Sequence, residues 1–431
     1  VGLSALYANT TGAQNTAVGR FSLDANTTAS ANSAFGNAAL TANTTGANNT
    51  ALGAYALDAN TTANDNTAVG TFALTANTSG YSNVGVGVSA LAANTTGATN
   101  NAFGYGALAA NTTGTFNNAF GYNALATATT VSNNTAMGHN ALTANTTGSS
   151  NSAFGSTALD ANTTGSNQTA IGVGALGACT TGESNTAVGQ ASLSSLTTAN
   201  DNTAVGRAAL VSCNGGQNTA LGYYAGQSVS TGTYNVLIGY NSAIAITTGT
   251  QNVAVGSLAL DANTTSSYHT AVGHAALGAN TTGEYSVAIG RQALLSNTTG
   301  TRHVAIGNEA LENNTTGNYC VAIGFKALES NNGSSSCAVG YQALLDQTTG
   351  ASCNAFGFEA LRENNGNDND AFGYQALYAN TTGASNTAVG HKALLNNTTA
   401  DYNTAVGRYC MGVNTTGTRN VAVGSFALDA S

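Results

Sequence analysis

Residues 32–48 read NSAFGNAALTANTTGAN, and residues 49–65 continue directly with NTALGAYALDANTTAND. The same pattern runs through all 431 residues, and each copy contains a glycine that follows Val, Phe, Leu, Ile or Met. We call these the anchor glycines and count repeat positions from them. There are 26, from Gly2 to Gly424, and of their 25 spacings 22 are 17 residues and three are 16. A fixed period of this kind indicates a repeat protein.

The length of the repeat decides between the known repeat architectures. Helical repeats need about 33 residues or more, and leucine-rich repeats need about 20 to 29. A unit of 17 residues fits one coil of a β-solenoid, in which successive coils stack about 4.8 Å apart. The sequence therefore predicts an all-β fold, a parallel β-solenoid (β-roll) of about 26 coils with a 17-residue repeat. Residues 1–431 form a single continuous array in this interpretation, without a separate cap or tip domain.

Two segments of each repeat have strand character. In the first, exemplified by residues 16–18, positions −3 and −1 carry Thr or Val and then Val, Ile or Phe, so we expect these two positions to share the inward face. The second segment contains an Ala-Leu pair, as in residues 39–40, with the leucine in the core. The Asn-Thr-Thr-Gly segment, for example residues 43–46, is expected to form the turn, because Asn tolerates left-handed geometry and Gly supplies a positive φ.

Position −2 points away from the core in this assignment, yet it is alanine in nearly every repeat. A position that faces solvent should vary among polar residues, so we expect this column to be covered by another copy of the chain. The candidate oligomer face comprises Ala17, Ala34, Ala51 and Ala68 and their equivalents. The expected partner is the protein itself, as a homotrimer or as an end-to-end filament.

Asparagine occupies position −4 in most repeats, and its amide can bond to the copies above and below. We therefore interpret this column as a structural ladder. It is interrupted between His269 and Cys353, where His, Ser and Cys take the place of Asn.

The composition excludes several classes of function. Charged residues make up 6% of the chain, against about 25% in an ordinary soluble domain, and the net charge is −9. There is no basic face for nucleic acid and no apolar run of about 20 residues for a membrane span. All charged side chains except Asp370 fall at positions that we assign to turns or to the outside. No cofactor is expected.

The motif Ser286-Val287-Ala288-Ile289-Gly290, with relatives such as residues 252–256, resembles the repeat of trimeric autotransporter adhesin heads. Asn-Thr-Ala-Val-Gly and Ala-Leu-x-x-Asn-Thr-Thr-Gly arrays also resemble phage and bacterial fibre proteins. The resemblance covers the whole chain, although adhesin-head repeats are shorter and lack the regular Asn-Thr-Thr-Gly turn. It implies a left-handed parallel β-roll, three chains around one axis, and display on a bacterial surface.

The Asn-Thr-Thr and Asn-Thr-Ser triplets match the acceptor pattern for N-glycosylation. One interpretation is that the triplet is simply a good turn, and the other is a rod coated with glycans. The sixteen candidate residues are Asn9, Asn26, Asn43, Asn60, Asn77, Asn94, Asn111, Asn145, Asn162, Asn263, Asn280, Asn297, Asn314, Asn380, Asn397 and Asn414.

Other site hypotheses are weaker. The threonine column of Thr27, Thr44 and Thr61 repeats at the coil spacing, as in ice-binding solenoids, but it lies in a predicted turn. His269 and His303 are two coils apart, about 9.6 Å, so they cannot share one metal ion. No nucleophile, base and orienting group recur together, so no catalytic or metal site is predicted. The six cysteines are expected to be small buried or half-buried thiols.

The sequence therefore predicts a structural protein and not an enzyme. We expect it to form an extracellular fibre or cell-surface stalk, and an adhesive surface is an open alternative. The alternatives are a phage tail-fibre receptor-binding shaft and a solenoid that binds ice or surface glycans.

Overall fold

A computed structural model describes residues 1–429 of the chain. The chain separates into two compact units, residues 1–216 (unit 1) and the residues from 217 onward (unit 2). None of residues 1–429 is in a helix, and the regular elements are β-strands of three residues, one in each repeat.

Unit 1 contains twelve strands. They are β1 (Thr16–Val18), β2 (Ser33–Phe35), β3 (Thr50–Leu52), β4 (Thr67–Val69), β5 (Val84–Val86), β6 (Asn101–Phe103), β7 (Asn118–Phe120), β8 (Thr135–Met137), β9 (Ser152–Phe154), β10 (Thr169–Ile171), β11 (Thr186–Val188) and β12 (Thr203–Val205).

The described part of unit 2 contains thirteen strands. They are β13 (Thr219–Leu221), β14 (Val236–Ile238), β15 (Val253–Val255), β16 (Thr270–Val272), β17 (Val287–Ile289), β18 (Val304–Ile306), β19 (Val321–Ile323), β20 (Cys337–Val339), β21 (Asn354–Phe356), β22 (Asp370–Phe372), β23 (Thr387–Val389), β24 (Thr404–Val406) and β25 (Val421–Val423).

Within each unit, every strand pairs in parallel with the strand of the next repeat. The register places equivalent residues side by side, as with Ala17 and Ala34 between β1 and β2, or Ala254 and Ala271 between β15 and β16. A 16-residue repeat keeps this register, since Val321 of β19 pairs with Cys337 of β20. The predicted fold class, an all-β parallel β-solenoid with a 17-residue repeat, is therefore confirmed.

The predicted direction of the strand side chains is wrong. Position −2 faces the interior, where Ala34, Ala51 and Ala68 are fully buried, whereas Phe35 at position −1 is 40% exposed. Where the preceding coil has leucine at position +4, the interior holds little more than a methyl group at position −2, because a Cβ on Gly85, a natural variant of this position, would already lie 3.4 Å from Cγ of Leu74 in the preceding coil. Valine or phenylalanine at positions −3 and −1 therefore points outward.

This reversal also corrects the candidate oligomer face. Ala17, Ala34, Ala51 and Ala68 lie inside the coils, packed beside the leucine column, and their side chains offer no surface to another chain. The column that the sequence placed in the core is instead the one that meets solvent.

The Ala-Leu segment is not a second strand. It forms a turn in which positions +2 and +4 adopt left-handed geometry, with φ of 57° at Ala38 and 54° at Leu40. The backbone still bonds to the next coil, since the N–H of Leu40 donates to the carbonyl of Ala56 at 3.0 Å. The leucine side chain is fully buried, as predicted, and the leucines are the largest side chains of the core.

The turn chemistry also differs from the prediction. Asn43 and Gly46 do not have positive φ, and the left-handed residue of this region is Asn48 at position +12, with φ of 60°. The asparagine instead closes the turn through its side chain, because Nδ2 of Asn43 donates to the carbonyl of Gly46 at 2.9 Å. The anchor glycines do require glycine, since their φ lies between 129° and 146° and a Cβ on Gly36 would overlap the backbone of Gly53 in the next coil.

Two columns of buried asparagine hold the coils together. At position −4, Oδ1 of Asn32 accepts a hydrogen bond from the backbone N–H of Asn49 at 2.9 Å, and its Nδ2 donates to the carbonyl of Gly46 at 2.9 Å. At position +7, Nδ2 of Asn60 donates to Oδ1 of Asn43 at 2.9 Å. Most of these buried amides thus bond to a neighbouring coil, and the predicted asparagine ladder at position −4 is confirmed.

Candidate functional surface

An apolar feature of the surface is the last residue of each strand, directly before an anchor glycine. Phe35, Leu52 and Ile171 are 40%, 49% and 42% exposed. We call this set the outer apolar column. In unit 1 it comprises Val18, Phe35, Leu52, Val69, Val86, Phe103, Phe120, Met137, Phe154, Ile171, Val188 and Val205. In unit 2 it comprises Leu221, Ile238, Val255, Val272, Ile289, Ile306, Ile323, Val339, Phe356, Phe372, Val389, Val406 and Val423.

Position −3 shares the outward face of the strand with this column. It carries Thr, Ser, Val, Asn or Cys and a single charged residue, Asp370. This carboxylate accepts a hydrogen bond from Nδ2 of Asn354 at 2.8 Å, so it too takes part in a coil-to-coil contact. The outward sheet face is consequently almost free of charge.

Aromatic rings at position +1 form stacks beside the outer apolar column. In unit 2 the rings of Phe325, Tyr341, Phe358, Tyr374 and His391 stack in successive coils, with centroid separations of 4.9–5.4 Å. Unit 1 has a shorter stack of Tyr105, Tyr122 and His139. Because each ring covers the face of the next, these stacks stabilise the coils and present mainly ring edges to solvent.

Both columns are aromatic in two places, where the sequence reads Phe-Gly followed by an aromatic residue. In unit 1 Phe103 stacks on Phe120 at 4.8 Å, beside the stack formed by Tyr105 and Tyr122. In unit 2 Phe356 stacks on Phe372 at 5.1 Å, beside the rings at residues 358 and 374. Between the two columns lie only anchor glycines, which carry no side chains.

The asparagines of the sixteen sequons lie inside the coils. All are fully buried except Asn9 and Asn414, which are partly buried. Their amides are hydrogen-bond donors, as when Nδ2 of Asn111 donates to Oδ1 of Asn94 at 2.8 Å and to the carbonyl of Gly114 at 3.2 Å. A glycan on such a nitrogen would displace both bonds and the neighbouring coil, so the fold favours the turn interpretation over the glycan coat.

The threonines divide into two columns with different roles. At position +8, which includes Thr27, Thr44 and Thr61, the hydroxyl donates to a carbonyl of the next coil, as from Thr44 to Thr61 at 3.0 Å. The neighbouring position +9, for example Thr45 and Thr62, is exposed. The threonines predicted from the sequence, at position +8, are therefore hydrogen-bonded between coils. The exposed threonine column is the one at position +9.

His269 and His303 replace asparagine in the ladder at position −4 and are buried. Burial lowers the pKa of each imidazole to about 4, so both rings are neutral at pH 7. Nδ1 of His269 accepts from the backbone N–H of Ser286 at 3.4 Å. The two histidines thus act as hydrogen-bonding members of the ladder, each with partners in its own part of the stack.

The cysteines have free thiols, and all except the half-buried Cys337 are buried. Burial raises the pKa of the Cys179 thiol to about 11. At neutral pH this side chain is therefore a protonated, unreactive thiol. The expectation of small buried or half-buried thiols is confirmed.

A charged cluster in unit 2 was not singled out from the sequence. Carboxylate oxygens of Glu309, Glu312 and Glu329 lie within 4.8 Å of one another. Lys326 lies between two of them, with Nζ 3.2 Å from Glu309 and 3.0 Å from Glu329, and Arg291 pairs with Glu309. These hydrogen bonds, chiefly the one from Lys326, lower the pKa of Glu309. Neighbouring coils thus bring opposite charges together, which the spacing along the chain does not reveal.

The fold and this surface place the chain in the class of parallel β-solenoid repeat proteins. The chain matches no protein-family model and no curated protein. Residues 1–429 contain no helix that could span a lipid bilayer.

Proposed function

We propose that the protein is a structural, non-catalytic one that forms a fibre or stalk outside the cell. The observation that carries this proposal is the repeated ladder, in which every coil of a unit bonds to the next through its strand and its turns, and most coils also bond through one or both asparagine columns. In such a stack the free energy of folding is approximately the sum of similar contributions from each coil and from each contact between coils. The number of coils can therefore increase without a new type of core. This property suits a spacer or scaffold.

The polar interior supports a passive role. The buried asparagines and histidines are occupied by coil-to-coil hydrogen bonds, and the Cys179 thiol is protonated. The likeness of Ser286-Val287-Ala288-Ile289-Gly290 to adhesin-head repeats supports the further proposals of a cell-surface location, a homotrimer or end-to-end filament, and contact with surface glycans.

Electron microscopy of the purified chain tests this proposal. We expect straight, uniform particles, and deletion of residues 49–133, five whole repeats of unit 1, should shorten them by about 24 Å at about 4.8 Å per coil. Deletion of residues 57–141, which also removes five periods of 17 residues and so keeps the repeat in phase, should give particles of the same length. Compact particles whose dimensions do not change with the deletion would refute the fibre role.

The exposed threonines at position +9 favour ice binding as a second candidate function. They repeat once per coil over most of the chain, for example at Thr45 and Thr62, on a scaffold fixed by the ladders. Measurement of thermal hysteresis and ice-crystal shape would decide the matter. Replacement of Thr96, Thr113 and Thr130 by asparagine should reduce any activity, whereas the same replacement at Thr16, Thr50 and Thr219, which are exposed at position −3, should not. Normal ice growth in the wild-type protein would exclude this function.

A further inference from the structure

The outer apolar column forms an uninterrupted surface within each unit. Neighbouring members are equivalent residues of paired strands, such as Phe35 of β2 and Leu52 of β3, so no polar side chain separates them along the stack. The paired register also keeps each member next to the equivalent residue of the coil before it.

The exposed area of this surface is that of an interaction patch. A large apolar side chain that is about 40% exposed leaves roughly 60 Å² in contact with water. The seven members of unit 1 that are 37–49% exposed then contribute about 400 Å², to which the five partly buried members and position −3 add, against about 800 Å² per partner in a standard protein interface. A contiguous apolar patch of this size on a protein surface marks an interaction site.

The charge distribution points in the same direction. The chain has 27 charged Lys, Arg, Asp and Glu side chains (9 + 18), yet none is at position −1 and only Asp370 is at position −3. Charges are depleted at the cores of protein interfaces, where burial would cost their hydration. An electrostatic partner such as a nucleic acid or an anionic membrane has no matching group on this face.

The periodicity of the face identifies the partner. A surface with one apolar side chain per coil, about 4.8 Å apart, is matched along many coils only by another array with the same spacing. A second copy of this chain has that spacing. We propose that the outer apolar column of one chain docks face to face against the outer apolar column of a second copy. This inference deepens the proposed fibre role, and rests on it, by naming the surface and partner of self-association.

The strip of anchor glycines between positions −1 and +1 explains how the two faces can fit together. Where Phe103 and Tyr105 flank Gly104, side chains project on both sides of a strip that carries none. The column of the second copy fits into this strip, so the two faces interdigitate in the manner of a dry zipper between paired sheets. The anchor glycine is thereby required twice, once by the stacking of coils and once by the approach of the partner.

Charge substitution tests the proposal with a matched control. The variant F103E/M137E/I171E/L221E/V255E/I289E places three carboxylates in the column of each unit on alternate coils, and the control T113E/T147E/T181E/T231E/T265E/T299E places them on the same coils at exposed position +9. Light scattering after gel filtration should give at least two chains for the wild type and the control, and one chain for the column variant with an unchanged circular dichroism spectrum. A single-chain wild type, or a folded column variant of unaltered mass, would overturn the proposal.

A labelling experiment does not depend on the folding of the charged variant. In a Cys337→Ser background, maleimide should modify a cysteine at Phe154→Cys at least tenfold more slowly than one at Thr164→Cys, since both sites are exposed in the isolated chain. Dilution that dissociates the assembly should abolish the difference. Equal rates at all concentrations would contradict docking. They would leave the fibre proposal intact if straight single-chain particles were still seen, so the two failures are distinguishable.

Discussion

Nδ1 of His303 accepts a hydrogen bond from the backbone N–H of Cys320 at 3.3 Å, in the place that an asparagine Oδ1 takes in most coils. Nε2 of the ring lies 3.2 Å from Nδ2 of Asn314, and the imidazole also bonds to the backbone of Gly317. The same two partners, the next residue of the ladder and a carbonyl of the next turn, are used by Asn32. A neutral histidine is therefore a substitute for asparagine in this ladder.

The stability of the coils around His269 and His303 should decrease as the pH falls from about 6.5 to about 4. Burial lowers the pKa of each imidazole in the fold to about 4, whereas the unfolded chain binds protons at about 6.5. Between these values the unfolded state binds more protons, so the free energy of unfolding falls with falling pH, by roughly 3 kcal/mol for each histidine. Below about pH 4 this contribution levels off.

Hydrogen exchange at pH 7 and pH 5, corrected for intrinsic rates, measures this effect. Peptides covering residues 266–320 should lose protection at pH 5, and peptides covering residues 83–134, where the ladder is asparagine, should change less. The variant H269N/H303N should remove the difference between the two regions. An unchanged pH dependence in that variant would rule out the histidines as its cause.

Replacement of a ladder asparagine should destabilise unit 1 in proportion to the hydrogen bonds lost. Asn100 accepts from the backbone N–H of Asn117 at 3.0 Å and donates to the carbonyl of Gly114 at 2.8 Å. Asn100→Ala leaves both groups buried without a partner, which costs about 2–4 kcal/mol in the free energy of unfolding. Asn100→His should cost less at pH 7, since the natural coils at His269 and His303 accept this exchange.

Urea titration followed by circular dichroism checks the prediction, with exposed Thr113→Ala as the control of near-zero effect. Equal losses for the alanine and histidine variants would show that side-chain shape, and not hydrogen bonding, sets the requirement at position −4.

The buried sequons should remain unmodified in the folded protein. Addition of a glycan to Asn111 would break its bonds to Asn94 and Gly114, so peptide mapping of a chain secreted from a eukaryotic host should find Asn111 unmodified. Any modified fraction should be sensitive to protease, because the glycosylated coil cannot stack. A folded, protease-resistant chain carrying glycans at Asn111 would disprove this prediction.

The fold could be predicted from the sequence because a 17-residue period admits few architectures, but the facing of the strand could not. An alternating sequence pattern does not show which face of the strand points inward. A shift of one residue exchanges every inward side chain for an outward one. The larger residues, such as Phe35, suggested the core. In the structure Leu40 already fills the interior, so only Ala34 fits there.

The Ala-Leu turn was mistaken for a strand for a related reason. Leucine with positive φ is rare, because its Cβ approaches the following carbonyl, so local propensity argues against the geometry that Leu40 adopts. The stack imposes it, since the backbone of Leu40 bonds to the next coil while its side chain fills the interior. The sequence of a single repeat does not reveal this constraint, because the constraint comes from the next coil.

A large side chain at position −2 should be able to replace the leucine at position +4 of the preceding coil. Leu237 is the one leucine at position −2, and the preceding coil has Gly226 where most coils have leucine at position +4. The contact that Gly85 would make with Leu74 shows that these two positions pack against each other across successive coils. The larger residue of one coil thus compensates for the smaller residue of its neighbour.

This exchange can be transferred to unit 1. Ala102→Leu alone overfills the interior and should lower the free energy of unfolding by about 1–3 kcal/mol, while Leu91→Gly alone leaves a cavity and should cost about 3–5 kcal/mol. The double variant should be more stable than the sum of the two losses predicts, by at least 1 kcal/mol in a double-mutant cycle measured by urea titration. Strict additivity would mean that Leu237 and Gly226 vary independently, and the packing relation between successive coils would have to be abandoned.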